Sequence, residues 1–235
     1  MATIFAVGVG PGDPELLTRK AERVLRQADV ILAPVSNPSE ASVALATIRG
    51  FLDESRQEVI VHPFPMTSDK ARLLHAWQEA AALIAVRAED GKDVAFVTIG
   101  DPLFYSTFIY LQRILREICP HIPIEIVPGI SSVNASAAAA GIPLVEADEK
   151  MAVIPATAGV EKIAFALARF ETVVLLKVKP VFGDILELIR QTGRERSTVF
   201  VERVGSGRQM VLTDFAEIAA HAPDYLSLMI IRCSC

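Results

Sequence analysis

Short apolar runs alternate with stretches of helical periodicity along the chain, the pattern that specifies parallel sheets covered by helices. In the first half this pattern predicts strands at residues 3–7, 29–32, 58–61, 94–98 and 122–127. Between them it predicts helices at residues 14–26, 39–49, 70–88 and 103–118. Within residues 70–88, Leu73, Leu74, Trp77 and Ala81 recur at helical spacing. Five strands suffice for one doubly wound domain with an open, mostly parallel sheet.

The next segment, residues 131–140, is crowded with alanine and serine and can approach a neighbouring element closely at low entropic cost. The domain junction is placed beside it, giving an N-terminal α/β domain at 1–128 and a C-terminal α/β domain at 129–235. The second domain is expected to hold strands at 151–155, 172–178, 197–202, 209–213 and 226–231, with helices at 160–169, 182–191 and 214–221. Residues 209–213 follow the preceding strand too closely for a helical crossover, so this sheet is expected to be mixed. The chain contains no fixed-period repeat and no low-complexity tract.

Composition narrows the function. With 51% hydrophobic and 22% charged residues among 235, the chain can bury a large core. A net charge of −5 argues against a general polyanion binder, and nucleic acid is not an expected partner. The opening apolar run lacks a basic flank, and Asp13 and Glu15 stand where a leader would be cleaved, so a cytoplasmic protein is expected. Apolar runs at 173–176 and 226–231 are far below the roughly 20 residues of a spanning helix. No membrane association is expected. Cys119, Cys233 and Cys235 fit neither a disulfide framework nor a zinc pattern, and no metal site is expected.

Three loops carry candidate chemistry. The first, Gly8-Val9-Gly10-Pro11-Gly12-Asp13-Pro14, joins a strand to a helix where a dinucleotide loop would lie. Its third glycine comes two residues after the second instead of three, and Asp13 with Pro14 occupies the helix start, where an anion would meet a carboxylate. It is either a tight capped turn or a loop that lets a ligand approach bare backbone. The second, Ile99-Gly100-Asp101-Pro102-Leu103-Phe104-Tyr105-Ser106-Thr107, repeats the Gly-Asp-Pro chemistry. Asp101 is either a helix N-cap or a ligand contact. The third, Pro128-Gly129-Ile130-Ser131-Ser132, follows the fifth strand. Scattered histidines and the lack of a Gly-x-Ser-x-Gly elbow or a Gly-Lys-Ser/Thr loop remove support for hydrolase and NTPase readings.

Taken in order with Ala139-Ala140-Gly141-Ile142-Pro143, these loops resemble the tetrapyrrole (corrin/porphyrin) methylase family over nearly the whole chain. The string from Gly100 to Leu111 and the segment Phe64-Pro65-Met66-Thr67-Ser68-Asp69 resemble the branch that methylates carbon 20 of precorrin-2 or its cobalt form. The resemblance implies two α/β domains with the active site in a cleft between them, a homodimer, a tetrapyrrole substrate, and S-adenosylmethionine as methyl donor, leaving as S-adenosylhomocysteine. Carried over by position, Pro11, Ile99, Gly100, Asp101, Ser131, Ser132, Val178, Arg203 and Ser227 are the implied donor contacts.

A sulfonium donor carries positive charge and adenosine, so it calls for carbonyl oxygens or a carboxylate, backbone amides and apolar walls. Asp101, Tyr105 and Glu202 are the candidates for assisting proton loss from the methylated carbon. Lys177, Lys179, Arg203 and Arg208 are candidates for meeting tetrapyrrole carboxylates, the alternative being solvated surface charge. Competing readings are methylation at another tetrapyrrole carbon or of a non-tetrapyrrole acceptor, a nicotinamide-dependent oxidoreductase, and a noncatalytic tetrapyrrole carrier. Whether the substrate already contains cobalt stays open.

Overall fold

The computed structural model describes residues 2–37, 39 and 41–232, so Cys233 and Cys235 lie outside the described residues. The chain divides into two compact units, Met1–Ser131 and Ser132–Cys235, where the sequence pattern places the division after residue 128.

The first unit contains strands β1 (Ile4–Gly8), β2 (Val30–Val35), β3 (Glu58–Pro63), β4 (Val94–Thr98) and β5 (Ile124–Val127). They form one sheet in the order β3-β2-β4-β1-β5, and every pairing is parallel. The helices are α1 (Arg19–Gln27), α2 (Val43–Ile48), α3 (Lys70–Glu89) and α4 (Phe108–Ile118). Successive strand residues point to opposite faces and both faces are covered, which is why these strands are almost continuously apolar. Ile4, Ala6, Val30, Leu32, Val94 and Phe96 pack with α3 and α4, whereas Val7, Ile31, Ala33, Ala95 and Val97 pack with α1 and α2. The connections leaving the adjacent strands β1 and β4 therefore run over opposite faces. Open α/β sheets bind ligands at such a switch point.

Three helices start later than their apolar pattern suggests; the one expected from residue 39 begins at Val43, where Ser42 caps it. Residues 14–16 form a single 3-10 turn capped by Asp13, Leu17 is extended, and Thr18 caps α1 by accepting from Ala21 N at 3.1 Å. Two capping side chains in succession interrupt what reads as one helix. The helix expected from residue 103 begins at Phe108, because Tyr105 takes a positive φ of 54° that a right-handed helix cannot contain. On α3 the buried face is Ala76, Ala80, Ala81, Ile84, Ala85 and Ala88, while Leu74 is exposed. Small side chains on that face let α3 pack closely.

The second unit contains α5 (Ser132–Ala140), β6 (Met151–Pro155), α6 (Val160–Leu167), β7 (Thr172–Leu176), α7 (Phe182–Gln191), β8 (Thr198–Glu202), β9 (Met210–Leu212), α8 (Phe215–Ala220) and β10 (Ser227–Arg232). The sheet order is β6-β7-β10-β8-β9. Strands β6 and β7 are parallel, and β10 runs antiparallel to both neighbours. The β8–β9 pair is an antiparallel hairpin, as the short spacing requires. Val173, Leu175, Phe200, Met229 and Ile231 face α6, α7 and Ile218 of α8. Because β10 opposes β7 and β8, its first residue lies beside their last ones.

The closest packing in the first unit is backbone on backbone. A Cβ added to Gly129 would lie 2.1 Å from Gly100 O, and one added to Gly8 would lie 2.6 Å from both Gly100 O and Gly129 N. Neither neighbour is a movable side chain. We expect Gly129→Ala to destabilise the protein by about 3 kcal/mol or more. Gly183→Ala in α7, where a Cβ meets nothing within 4 Å, should be neutral or stabilising by up to about 1 kcal/mol. Urea unfolding of the two variants checks the contrast.

Candidate functional site

In the first unit the site is built by the loops that follow β1, β4 and β5, whose strands are neighbours in the sheet. Val9 N donates to Thr98 O at 2.9 Å and Gly100 N to Gly10 O at 2.7 Å, so the first two loops stay paired beyond the ends of their strands. Gly10 and Gly100 meet in an isolated antiparallel bridge, both with φ above 70°. That conformation is accessible to glycine at little cost. Beyond Gly100 the space is open, since the nearest heavy atom to an added Cβ is Ser131 Cα at 4.0 Å.

Asp101 is not the N-cap of α4, which starts seven residues later. Its Oδ1 accepts from Leu103 N at 2.9 Å, and its Oδ2 accepts from Gly129 N at 3.1 Å. The carboxylate therefore holds its own turn and ties the β4 loop to the β5 loop. Among the described residues no Lys, Arg or His forms an ion pair with it. A half-buried carboxylate, held by amides and lacking a counter-ion among the described residues, is suited to a cationic ligand. Tyr105 sits in the same loop, exposed, with its ring edge-on to Phe104 at 5.1 Å between centroids. Ser106 Oγ donates to Thr98 Oγ1 at 3.2 Å and accepts from Phe108 N at 3.2 Å, fixing the start of α4. Asp13, by contrast, accepts from Glu15 N at 2.9 Å and serves its own turn.

In the second unit the ends of β7 and β8 and the start of β10 share one edge of the sheet. Lys177 and Arg203, the residues just past β7 and β8, both adopt left-handed backbone, with φ of 55° and 49°. Non-glycine residues held in that region cost energy and cluster at functional sites. Arg203 is fixed from several directions. Its N donates to Leu226 O at 2.7 Å, and its carbonyl accepts from Ser206 N and from Ser206 Oγ at 2.8 Å. Its Nε donates to Asp224 Oδ2 at 2.7 Å, and its terminal guanidinium nitrogen contacts the same oxygen. Burial opposes ionisation of Asp224, but hydrogen bonds from Arg203 and the backbone, with the charge of Arg203, hold its carboxyl below the usual carboxylate value. The stabilisation from this pair is therefore complete above the ordinary carboxylate pKa and is lost as pH falls through the lowered one.

Glu202 is buried, and its Oε2 accepts from Asp224 N at 2.6 Å and lies 3.1 Å from His221 Nε2. Its carboxylate is thus engaged within the protein. Ser227 is also buried, and its Oγ donates to Asp224 O at 2.6 Å. Val178 is fully buried at the turn leading to α7. Lys177, Lys179 and Arg208 are exposed and enter no ion pair among the described residues, unlike Arg203.

The fold brings Pro11, Ile99, Gly100, Asp101 and Ser131 to one edge of the first sheet. Val178, Arg203 and Ser227 share an edge of the second, and Ser132 opens α5. Asp224 and His221 were not singled out from the sequence. Both lie about twenty residues from the strand end they contact, and no short-range spacing signals such a pairing. Among the described residues, no group of three or more His, Cys, Asp or Glu side chains is arranged to hold a metal ion. No helix among them is long and apolar enough to cross a membrane.

The family model for tetrapyrrole (corrin/porphyrin) methylases matches residues 3–219, and the chain belongs to that family. A protein of Methanocaldococcus jannaschii named a probable cobalt-precorrin-2 C(20)-methyltransferase is 40% identical, over 97% of this chain and 95% of its own. A precorrin-2 C(20)-methyltransferase of a Sinorhizobium species is 32% identical, over 97% of this chain and 94% of its own. The fold matches that of uroporphyrin-III C-methyltransferase from Thermus thermophilus, solved with S-adenosylhomocysteine, with a TM-score of 0.70 at 23% identity. That match covers 98% of this chain and 97% of the other.

Proposed function

We propose that this protein is an S-adenosylmethionine-dependent methyltransferase acting on carbon 20 of precorrin-2 or its cobalt form, a step of cobalamin biosynthesis. The observation that carries this reading is the near full-length similarity to relatives named for that reaction. The chemistry of the β4 loop supports it, since Asp101 offers a charge that no cation among the described residues pairs with. A nicotinamide reading fits poorly, because Asp13 and Pro14 occupy the turn where a pyrophosphate would bind.

S-adenosylmethionine supplies an electrophilic methyl group: a bond from carbon 20 to that methyl forms as the sulfur–methyl bond breaks, leaving S-adenosylhomocysteine. The residues of this chain mainly bind and orient, because an electron-rich reduced tetrapyrrole is already a nucleophile. Pro11, Ile99, Gly100, Asp101 and Ser131 are the proposed donor contacts in the first unit, and Ser132, Val178, Arg203 and Ser227 those in the second. Asp101 complements the positive charge of the donor. Asp101 and Tyr105 are the groups proposed to assist loss of the proton from the methylated carbon. Lys177, Lys179 and Arg208, exposed and in no ion pair among the described residues, are the proposed partners of tetrapyrrole carboxylates. The enzyme is read as a cytoplasmic homodimer, and light scattering should give twice the chain mass of 25.4 kDa.

Purified protein, supplied anaerobically with S-adenosylmethionine and either metal-free or cobalt-containing precorrin-2, should add one methyl at carbon 20 of one form, read by mass spectrometry. Donor turnover with neither form would overturn the carbon-20 assignment. In the same assay the double reversal Lys177→Glu and Lys179→Glu should raise the KM for the tetrapyrrole about tenfold, or about 1.4 kcal/mol. Asp101→Asn should weaken S-adenosylmethionine about tenfold and S-adenosylhomocysteine, whose sulfur is neutral, less than about threefold in calorimetry. Tyr105→Phe should slow single-turnover transfer about tenfold at saturating donor.

A further inference from the structure

The edge of the second sheet carries a network larger than any donor contact needs. Asp224 stands at its centre and uses its side chain and both backbone groups at once. Its carboxylate holds the Arg203 guanidinium, its carbonyl accepts from Ser227 Oγ, and its N–H is held by Glu202 Oε2. The same Glu202 oxygen meets His221 Nε2, and the His221 ring packs edge-on against the buried Phe200 at 5.3 Å. Arg203 and Ser227, two of the proposed donor contacts, thus share one partner, and that partner is held by Glu202.

The geometry assigns Glu202 and Asp224 as a positioning pair. Glu202 anchors residue 224 through its backbone, and Asp224 in turn sets the side chains of Arg203 and Ser227. This assignment rests on the donor-binding reading of that sheet edge, and it removes Glu202 from proton transfer. Two features of the structure favour it. Glu202 Oε2 is already shared between an amide and an imidazole in a buried setting, a poor arrangement for receiving a proton from a substrate carbon. Arg203 is a bulky residue in left-handed backbone at the end of β8, a conformation that persists only where surrounding contacts over-determine it. The Asp224 carboxylate, the Leu226 carbonyl and the two Ser206 donors provide those contacts.

A positioning role and a catalytic role leave different kinetic marks. We expect Asp224→Ala to raise the KM for S-adenosylmethionine and the Kd of S-adenosylhomocysteine at least tenfold, with kcat within about threefold of wild type. Asp224→Asn, which keeps an oxygen for Arg203, should recover most of that loss. Glu202→Gln should raise the donor KM three- to tenfold, with kcat within about threefold and the limbs of the pH–rate profile unmoved. If Glu202 takes a proton from the substrate, Glu202→Gln instead loses on the order of a hundredfold in kcat together with one limb of that profile, and the assignment falls. It also falls if Asp224→Ala binds S-adenosylhomocysteine as the wild type does. The two conservative variants guard against a fold that does not tolerate alanine at residue 224. Wild-type protein that fails to bind S-adenosylhomocysteine would overturn the donor reading itself, an outcome distinct from wild-type binding that the variants leave unchanged.

Discussion

The contact of Gly8, Gly100 and Gly129 is the constraint on which the first unit's site depends. Three neighbouring strands end together, and their outgoing loops pass so closely that one backbone lies where another residue's Cβ would be. Only glycine permits this approach. Its consequence is that the β1 and β4 loops continue to pair after their strands end, and that the β5 loop comes within reach of the Asp101 carboxylate. The position of the Asp101 carboxylate is thus set by the absence of side chains at Gly8 and Gly129, and by the positive φ that Gly100 adopts.

Each unit uses a carboxylate to close the proposed functional edge of its sheet. Asp101 joins the loops after β4 and β5 through two amide hydrogen bonds, and Asp224 joins the end of β8 to the start of β10. The difference between them is electrostatic. Asp224 is paired with Arg203 and its charge is spent within the protein, whereas Asp101 has amides for partners and no cation among the described residues. A carboxylate bound by neutral donors keeps a negative field that a cationic ligand can use. Asp224 therefore serves mainly geometry, while Asp101 combines geometry with the binding role proposed for it.

Most of the strained positions fall in the same places. Of the four non-glycine residues with left-handed backbone among the described residues, Lys177 and Arg203 lie just past β7 and β8 and Tyr105 lies in the loop after β4, while Ala147 lies in the segment before β6. Their cost is borne by the hydrogen bonds around them, most visibly at Arg203. Tight turns at these points direct side chains outward where a straight exit into a helix would bury them.

Much of the architecture was legible in the chain itself. Alternating apolar runs and helical periods identified both α/β units, and the short interval before residues 209–213 required an antiparallel step, because hydrophobic patterning and connection length are local properties. The ordered loops around Gly8, Gly100 and Gly129 carried the family likeness for the same reason. Local pattern was not enough at the helix starts. Asp101 has the chemistry of an N-cap, yet it closes a turn and reaches a second loop, because left-handed backbone at Tyr105 delays α4. Glu202 has the chemistry of an acid–base group, yet its partners His221 and Asp224 arrive from about twenty residues away. The sequence determined which elements form and which residue types stand at their ends, since both follow from periodicity and side-chain chemistry. Only the tertiary structure decided which of those charged groups are already satisfied within the protein and which remain to meet a ligand, because that depends on contacts between segments distant along the chain.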